Sequence, residues 1–272
     1  MALETAQLSP RIGSEIKADA ALLLSGKHGA QIRALLEERA VLVFRDIDFD
    51  DDELRAFAAT IGTVNPEGRE GIFTVSMDKE VNDKAVYMKG TFAWHVDRVD
   101  TDLPPLGSML TPRVLPPWGG ETEFANTTAA YVDLPEEEKA RLDKLRVHHR
   151  IAAQYRGLVT EVSAEEAEVW NSNPPKAHPL VWHHRSGRRS LVLGRTAESV
   201  EGLSQEEGDA LLAELMAWSE KPEYVYRHHW RMGDLVIWDN TGAMHRVREF
   251  DRTSGRRLHR VTLVGEEPIA GV

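Results

Sequence analysis

The chain has 272 residues, a formal net charge of -11, a pI near 5.5 and no cysteine. These values exclude disulfides, thiolate metal sites, iron–sulfur clusters and a cysteine nucleophile. They also offer no cationic footprint for a phosphate backbone or an anionic lipid. Any bound metal must therefore use nitrogen and oxygen ligands, and neither nucleic acid nor membrane is an expected partner. The opening stretch MALETAQLSPRIGSEIK lacks a basic segment followed by an apolar one, and no apolar run is long enough to span a membrane. A cytoplasmic location is the expectation.

With no internal repeat and no low-complexity linker, the chain reads as one domain over residues 1–272. In chain order, VLVF (41–44) reads as a strand. DDDELRAFAATIG then reads as a helix with an acidic start, apolar Leu54, Phe57, Ala58 and Ile61 at helical spacing, and an end at Gly62. LPEEEKARLDKL predicts a helix opening at Pro135, where proline suits the first turn and acids suit the positive end of the helix dipole. HPLVWHH and RSLVLG are short apolar runs parted by Ser186-Gly187, and both read as strands. Ser204 and Glu207 form a capping box ahead of ALLAELMAW. YVYRHHW, DLVIWD and RVTLVG follow as further strands, with Gly233-Asp234 as a turn. Helices first and between, antiparallel strands later, predict an α+β fold: a barrel or jelly roll flanked by helices.

FAWHVDRVD (92–100) places His95 and Asp97 one residue apart. If residues 94–99 are extended, both side chains share one face, while Trp94 and Val96 take the other. A metal would offset the cost of burying them, since a cation compensates the carboxylate and takes the imidazole lone pair. By itself, His-x-Asp describes a surface ion pair equally well. A third ligand would have to be another histidine. The doublets His148-His149, His183-His184 and His228-His229 read as ordinary strand histidines, and at most one of each pair can face a given point. His178 reads as a strand entry. His245 stands apart, following the strand DLVIWD after a short turn, where a barrel rim can present a ligand.

WHVD, PPWGGETEFAN (116–126) and GDLVIWDNTGAMHR (233–246), in that order and at those intervals, resemble the TauD/TfdA family of Fe(II)/2-oxoglutarate-dependent dioxygenases. The resemblance covers nearly the whole chain, from VLVF to RVTLVG. It implies a double-stranded β-helix core, the jelly-roll or cupin-like topology, flanked by helices. It also implies His95, Asp97 and His245 as Fe(II) ligands, and Thr122 and Arg256 as the residues that hold 2-oxoglutarate. Arg256 follows His245 by 11 positions, and Thr122 follows Asp97 by 25. Thr91, Arg98 and Arg260 would border the substrate pocket, with the two arginines suited to an anion. Trp94 and Trp238 would pack behind the ligands.

The implied reaction consumes O2 and 2-oxoglutarate, releases succinate and CO2, and most commonly hydroxylates a small organic acid. Retention of Asp97 disfavours halogenation. A homodimer or larger homo-oligomer is the assembly implied by relatives. Two departures stand out. Thr241 replaces the arginine that family members often carry after Trp-Asp-Asn, so a local salt bridge is expected to be lost. TVNPEGREGIF lacks the histidine that the taurine enzyme offers its substrate, which argues against taurine. Two rivals share the ligand set: a zinc hydrolase with a bound water, and a non-catalytic barrel that binds a small acid. The hydrolase leaves Thr122 and Arg256 unexplained, and the intact ligand set argues against a pure binding module, which has no need of open metal positions.

Overall fold

The computed structural model describes residues 3–156, 162–172 and 174–272. Strands β1 (Glu4–Gln7) and β2 (Ser14–Lys17) precede helices α1 (Ala20–Leu24) and α2 (Gly29–Arg39) and strand β3 (Val41–Phe44). Helix α3 (Asp51–Ala59) starts at a capping box between Asp50 and Glu53, buries Leu54, Phe57 and Ala58, and leads through a turn to Gly62. Strand β4 (Phe73–Val75) and a 3-10 helix over Ala85–Phe92 come next, then β5 (Gly107–Val114) and β6 (Thr122–Asn126). Helices α4 (Thr127–Val132) and α5 (Glu136–Leu142) lead to β7 (Arg146–His149), α6 (Ile151–Gln154) and α7 (Ala164–Trp170). The chain continues through β8 (Lys176–Pro179), β9 (Val181–His183), β10 (Arg189–Leu191), β11 (Ala197–Val200) and α8 (Gln205–Ser219). It closes with β12 (Val225–His228), β13 (Leu235–Asp239), β14 (Ala243–Val247) and β15 (Arg257–Leu263).

A seven-stranded sheet, ordered β1-β2-β3-β13-β5-β15-β4, faces a three-stranded sheet ordered β12-β6-β14. Period-two alternation explains the packing. Along β13, Leu235 and Ile237 pack with Leu42, Phe44 and Phe57 toward α3, whereas Val236 and Trp238 pack with Phe124 and Ala243 of the smaller sheet. Along β6, Phe124 faces that inter-sheet core, and Ala125 joins the cluster containing Leu211 and Leu215 of α8. Both faces of these strands are therefore covered, so DLVIWD reads as a continuous apolar run rather than an alternating one. The result is a mixed α/β fold with helices outside and the candidate site between the sheets.

Two local expectations change. Residues 92–100 are not a strand: His95 makes an isolated bridge to His245, and the chain turns at residues 97–100, with Arg98 at φ 54°. HPLVWHH divides at Leu180 into β8, which pairs with β7, and β9, which pairs with β10. Among the described residues, no helix is long and apolar enough to cross a membrane.

Candidate active site

His95 and His245 are locked side by side by reciprocal backbone hydrogen bonds, His95 N to His245 O at 3.1 Å and His245 N to His95 O at 2.9 Å. Their ring centroids lie 4.2 Å apart. One oxygen of Asp97, Oδ1, is 3.7 Å from His95 Nε2 and 3.8 Å from His245 Nε2. One ligand atom from each of the three residues falls within 4.8 Å of the others, a separation a single ion can bridge.

The chemistry of these donors fits a metal. His95 Nδ1 lies 2.8 Å from Ala93 O, and since a carbonyl only accepts, Nδ1 carries the proton and Nε2 keeps its lone pair. Burial pushes the His245 imidazole down to about 3, assisted by His95. Burial also lowers His95, against the opposing pull of Asp97. Both rings are neutral near pH 7, as ligation requires. For Asp97, burial alone would raise the carboxyl, but Arg260, His245, His95 and Arg98 together outweigh it and hold the group below its ordinary range. Trp238 supports the His245 ring at 4.7 Å, and the Arg246 guanidinium covers Trp94 at 4.4 Å. The packing role expected of Trp238 is met, while Trp94 joins the hydrophobic cluster with Leu180, Trp182 and Leu193.

The remaining histidines are engaged elsewhere. His148 pairs with Glu201, His183 with Asp143, His184 with Glu267 and His228 with Asp234. His149 bonds Thr196 within the core, His178 bonds Val99 O from β8, and His229 lies 3.6 Å from Glu121 at the surface.

Arg256 is only 7% exposed, and burial pushes its guanidinium down to about 10, against the opposing pull of Glu121. Its Nη2 donates to Gly120 O at 2.9 Å, while Nε has no hydrogen-bond partner among the described residues. Gly120, at φ 77°, permits this approach, because a Cβ there would lie 2.8 Å from Arg256 Nε. Arg256 lines a small cavity with Val75, Met88, Phe92, Val247 and Phe250. Thr122 shares the strand face of Phe124, whose ring lies 6.3 Å from that of His245. Trp230 Nε1 donates to Thr122 Oγ1 at 3.0 Å, which leaves the hydroxyl proton free to donate.

A cavity of about 290 Å³ opens on the other side of the cluster, with Phe73, Tyr87, Thr91, Arg98 and Arg260 on its wall. Thr91 Oγ1 donates to Met88 O at 2.7 Å. Arg98 has a 57% exposed side chain and lies 3.4 Å from Asp100. Arg260 Nη1 donates to Asp97 Oδ2 at 3.2 Å, the oxygen turned away from the histidines, and its guanidinium covers Phe73 at 4.8 Å. Lys84 and Glu67 form a further ion pair on this wall, at 2.6 Å.

Thr241 makes no ion pair of its own, and the neighbouring buried carboxylate finds its cation in a distant arginine. Asp239 is paired with Arg188 from the β9–β10 hairpin, and Arg188 Nη2 also donates to Thr241 Oγ1 at 2.7 Å.

Residues 4–262 match the family described as Taurine catabolism dioxygenase TauD, TfdA family. The chain belongs to the TauD/TfdA family. It is 39% identical to the alpha-ketoglutarate-dependent 2,4-dichlorophenoxyacetate dioxygenase of Burkholderia sp. (strain RASC), over 85% of this chain and 83% of that one. It is 31% identical to the alpha-ketoglutarate-dependent sulfate ester dioxygenase of Pseudomonas putida, over 98% of this chain and 91% of that one. The crystal structure of AAD-2 in complex with Mn(II) and N-oxalylglycine superposes with a TM-score of 0.84 at 33% identity, covering 99% of this chain and 100% of that one. With the His95, Asp97 and His245 cluster in place, this TauD/TfdA member is an Fe(II)/2-oxoglutarate-dependent dioxygenase.

Two residues at this TauD/TfdA site were not singled out from sequence. Asn240, fully buried, accepts from Asp97 N at 2.8 Å and donates to Asp97 O at 3.0 Å. Its polar position at the end of the apolar DLVIWD run is a local signal that could have found it. Trp230 carries no such signal, because its bond to Thr122 depends on β12 pairing with β6.

Proposed function

We propose that Fe(II) is held by His95 Nε2, Asp97 Oδ1 and His245 Nε2, that 2-oxoglutarate rests its distal carboxylate on Arg256 and Thr122, and that a small organic anion is the substrate. The single observation that carries this proposal is Arg256: a buried cation with one carbonyl as its hydrogen-bond partner among the described residues, in a cavity whose wall shares Met88 and Thr91 with the cavity at His95 and Asp97. A charge so placed calls for an anion, and arginine meets a carboxylate with two parallel bonds. Iron, 2-oxoglutarate and O2 supply the oxidising power, with succinate and CO2 as co-products.

The chain supplies placement. Two histidines and one carboxylate are the donor set of non-haem iron oxygenases, and as the only protein ligands they would leave positions on the metal for co-substrate and O2. Arg256 and Thr122 orient the co-substrate, and Phe73, Tyr87 and Met88 supply apolar surface to a cavity wall that also carries Glu67, Lys84, Arg98 and Arg260. Thr91, Arg98 and Arg260 border the substrate. Arg260 has donors beyond the one given to Asp97, so it can meet an anion while holding the ligand. Relatives named for 2,4-dichlorophenoxyacetate and for sulfate esters both act on anions, which supports the same class here. Hydroxylation next to the anion's heteroatom is the outcome we assign. The two facing sheets are consistent with a double-stranded β-helix core.

An anaerobic titration tests the proposal. Fe(II) plus 2-oxoglutarate should raise a weak visible charge-transfer band that is absent in His95→Ala. Succinate release across a panel of aryloxyacetates, sulfate esters and other organic acids, with taurine as a negative control, should then identify the substrate class. Absence of the band, together with no 2-oxoglutarate consumption on any acid, overturns it.

A further inference from the structure

The turn between β13 and β14 joins three distant parts of the molecule. Asp239 is 1% exposed and Asn240 fully buried. Asp239 Oδ1 accepts from Thr241 N at 2.9 Å and from Thr241 Oγ1 at 2.7 Å, which closes the turn upon itself. The other carboxylate oxygen is taken by Arg188 Nη1, which also donates to Glu37 O at 3.1 Å. Arg188 Nη2 donates to Thr241 Oγ1, and Ser190 Oγ from the same hairpin donates to Thr241 O at 2.7 Å. Asn240, held between these two residues, spends its whole side-chain amide outside the turn: Oδ1 accepts from Asp97 N, and Nδ2 donates to Asp97 O and to Pro105 O.

We propose that Arg188 is a positioning residue for the metal centre: it fixes the 239–241 turn and thereby aims Asn240 at the backbone of Asp97. The steps are electrostatic and then geometric. A buried carboxylate without a cation is strongly unfavourable, and Arg188 is the cation on Asp239. Its planar fork reaches Asp239 and Thr241 together, a geometry that a lysine's single ammonium does not reproduce. With the turn so held, the Asn240 amide clamps both backbone polar groups of Asp97. The chain turns sharply at that residue and lacks the sheet pairing that would otherwise fix it. The clamp places Asp97 Oδ1 between the two histidine nitrogens. Arg188 is not among the described residues lining the cavity, so it acts through the turn alone.

This inference rests on His95, Asp97 and His245 being a metal centre, and its test separates the two claims. Mn(II) is titrated into metal-free wild type, Arg188→Gln, Arg188→Lys and Thr241→Val, well below each variant's unfolding midpoint. Free Mn(II) is followed by electron paramagnetic resonance. Groups that orient a ligand change metal affinity about 10- to 100-fold when removed, and that is the loss expected for Arg188→Gln. Arg188→Lys should recover part of it, and Thr241→Val, which removes one hydroxyl, should lose several-fold. A purely structural brace would lower the unfolding temperature and leave Mn(II) affinity at the wild-type value, and that result overturns the proposal. If Arg188→Gln does not fold, wild-type Mn(II) affinity in both other variants overturns it equally. A wild type that binds no Mn(II) removes the metal centre and this inference with it.

Discussion

The metal end of the cavity and its outer end are built from different materials. At the metal end, His95 and His245 are buried and bridged backbone to backbone, and Asp97 is clamped by a fully buried asparagine. At the outer end, polar groups meet as ion pairs in which at least the cation reaches solvent: Lys84 with Glu67 at 45% and 27% exposure, and Arg98, 57% exposed, with Asp100, itself 5% exposed. Exposed pairs contribute about 0–1 kcal/mol, whereas removing one member of a buried pair costs about 3–5 kcal/mol. The inner end is therefore held to one geometry that suits metal chemistry, while the outer end can exchange residues, and so substrates, at little cost to the fold.

Substitutions at the metal end should show the largest effects. Asp97→Ala leaves two neutral imidazoles and an uncompensated Arg260, so calorimetric Mn(II) binding should vanish; retained binding would show that the carboxylate is not a ligand. Next is Arg256→Gln, which leaves the co-substrate's distal carboxylate without its cation. Losing a hydrogen-bonded charge partner costs about 2–5 kcal/mol, read as weaker N-oxalylglycine binding to the Mn(II)-loaded protein. Unchanged binding would place the co-substrate elsewhere.

Glu123 sharpens the comparison from the outer face of the same strand as Thr122. Burial would raise this carboxyl, but hydrogen bonds from Arg246 and Arg227 outweigh it and hold it below its ordinary 4.5. A carboxyl lowered by folding stabilises fully above its unfolded value and loses that contribution as pH falls through the folded one. Glu123→Gln should therefore cost about 1.5–3 kcal/mol at pH 7 in urea denaturation, with the gap to wild type closing below pH 4.5. The smallest effect belongs to the outer end. Glu67→Gln should shift stability by less than about 1 kcal/mol and leave Mn(II) affinity unchanged while altering KM for the organic substrate. A change in metal affinity there would break the contrast between the two ends.

Much of this was legible locally. The capping box at Ser204 and the strands VLVF and DLVIWD follow from short-range spacing and are present as expected, while the acidic start at residue 50 proves to be a second capping box, between Asp50 and Glu53. The ligand set was legible because WHVD, GGET and the DLVIWDNTGAMH segment are each short and ordered along the chain. The extended conformation considered for residues 94–99 is not kept beyond Val96, because the chain turns at residues 97–100 with Arg98 left-handed, which spacing does not reveal. That Arg188, 51 positions before Asp239, supplies the cation on this buried carboxylate was not legible, because the pairing is long-range.

The order of residues by itself determined which side chains could ligate a metal or grip a carboxylate, because those capacities belong to chemical type and near-neighbour spacing. Tertiary structure decided which arginine neutralises which acid, and what holds the ligating side chains in place. Arg260 meets Asp97 across 163 positions, and Trp230 meets Thr122 across 108. Such bonds form between groups that strand pairing brings within 3 Å or so of one another, and buried charges accept no distant substitute.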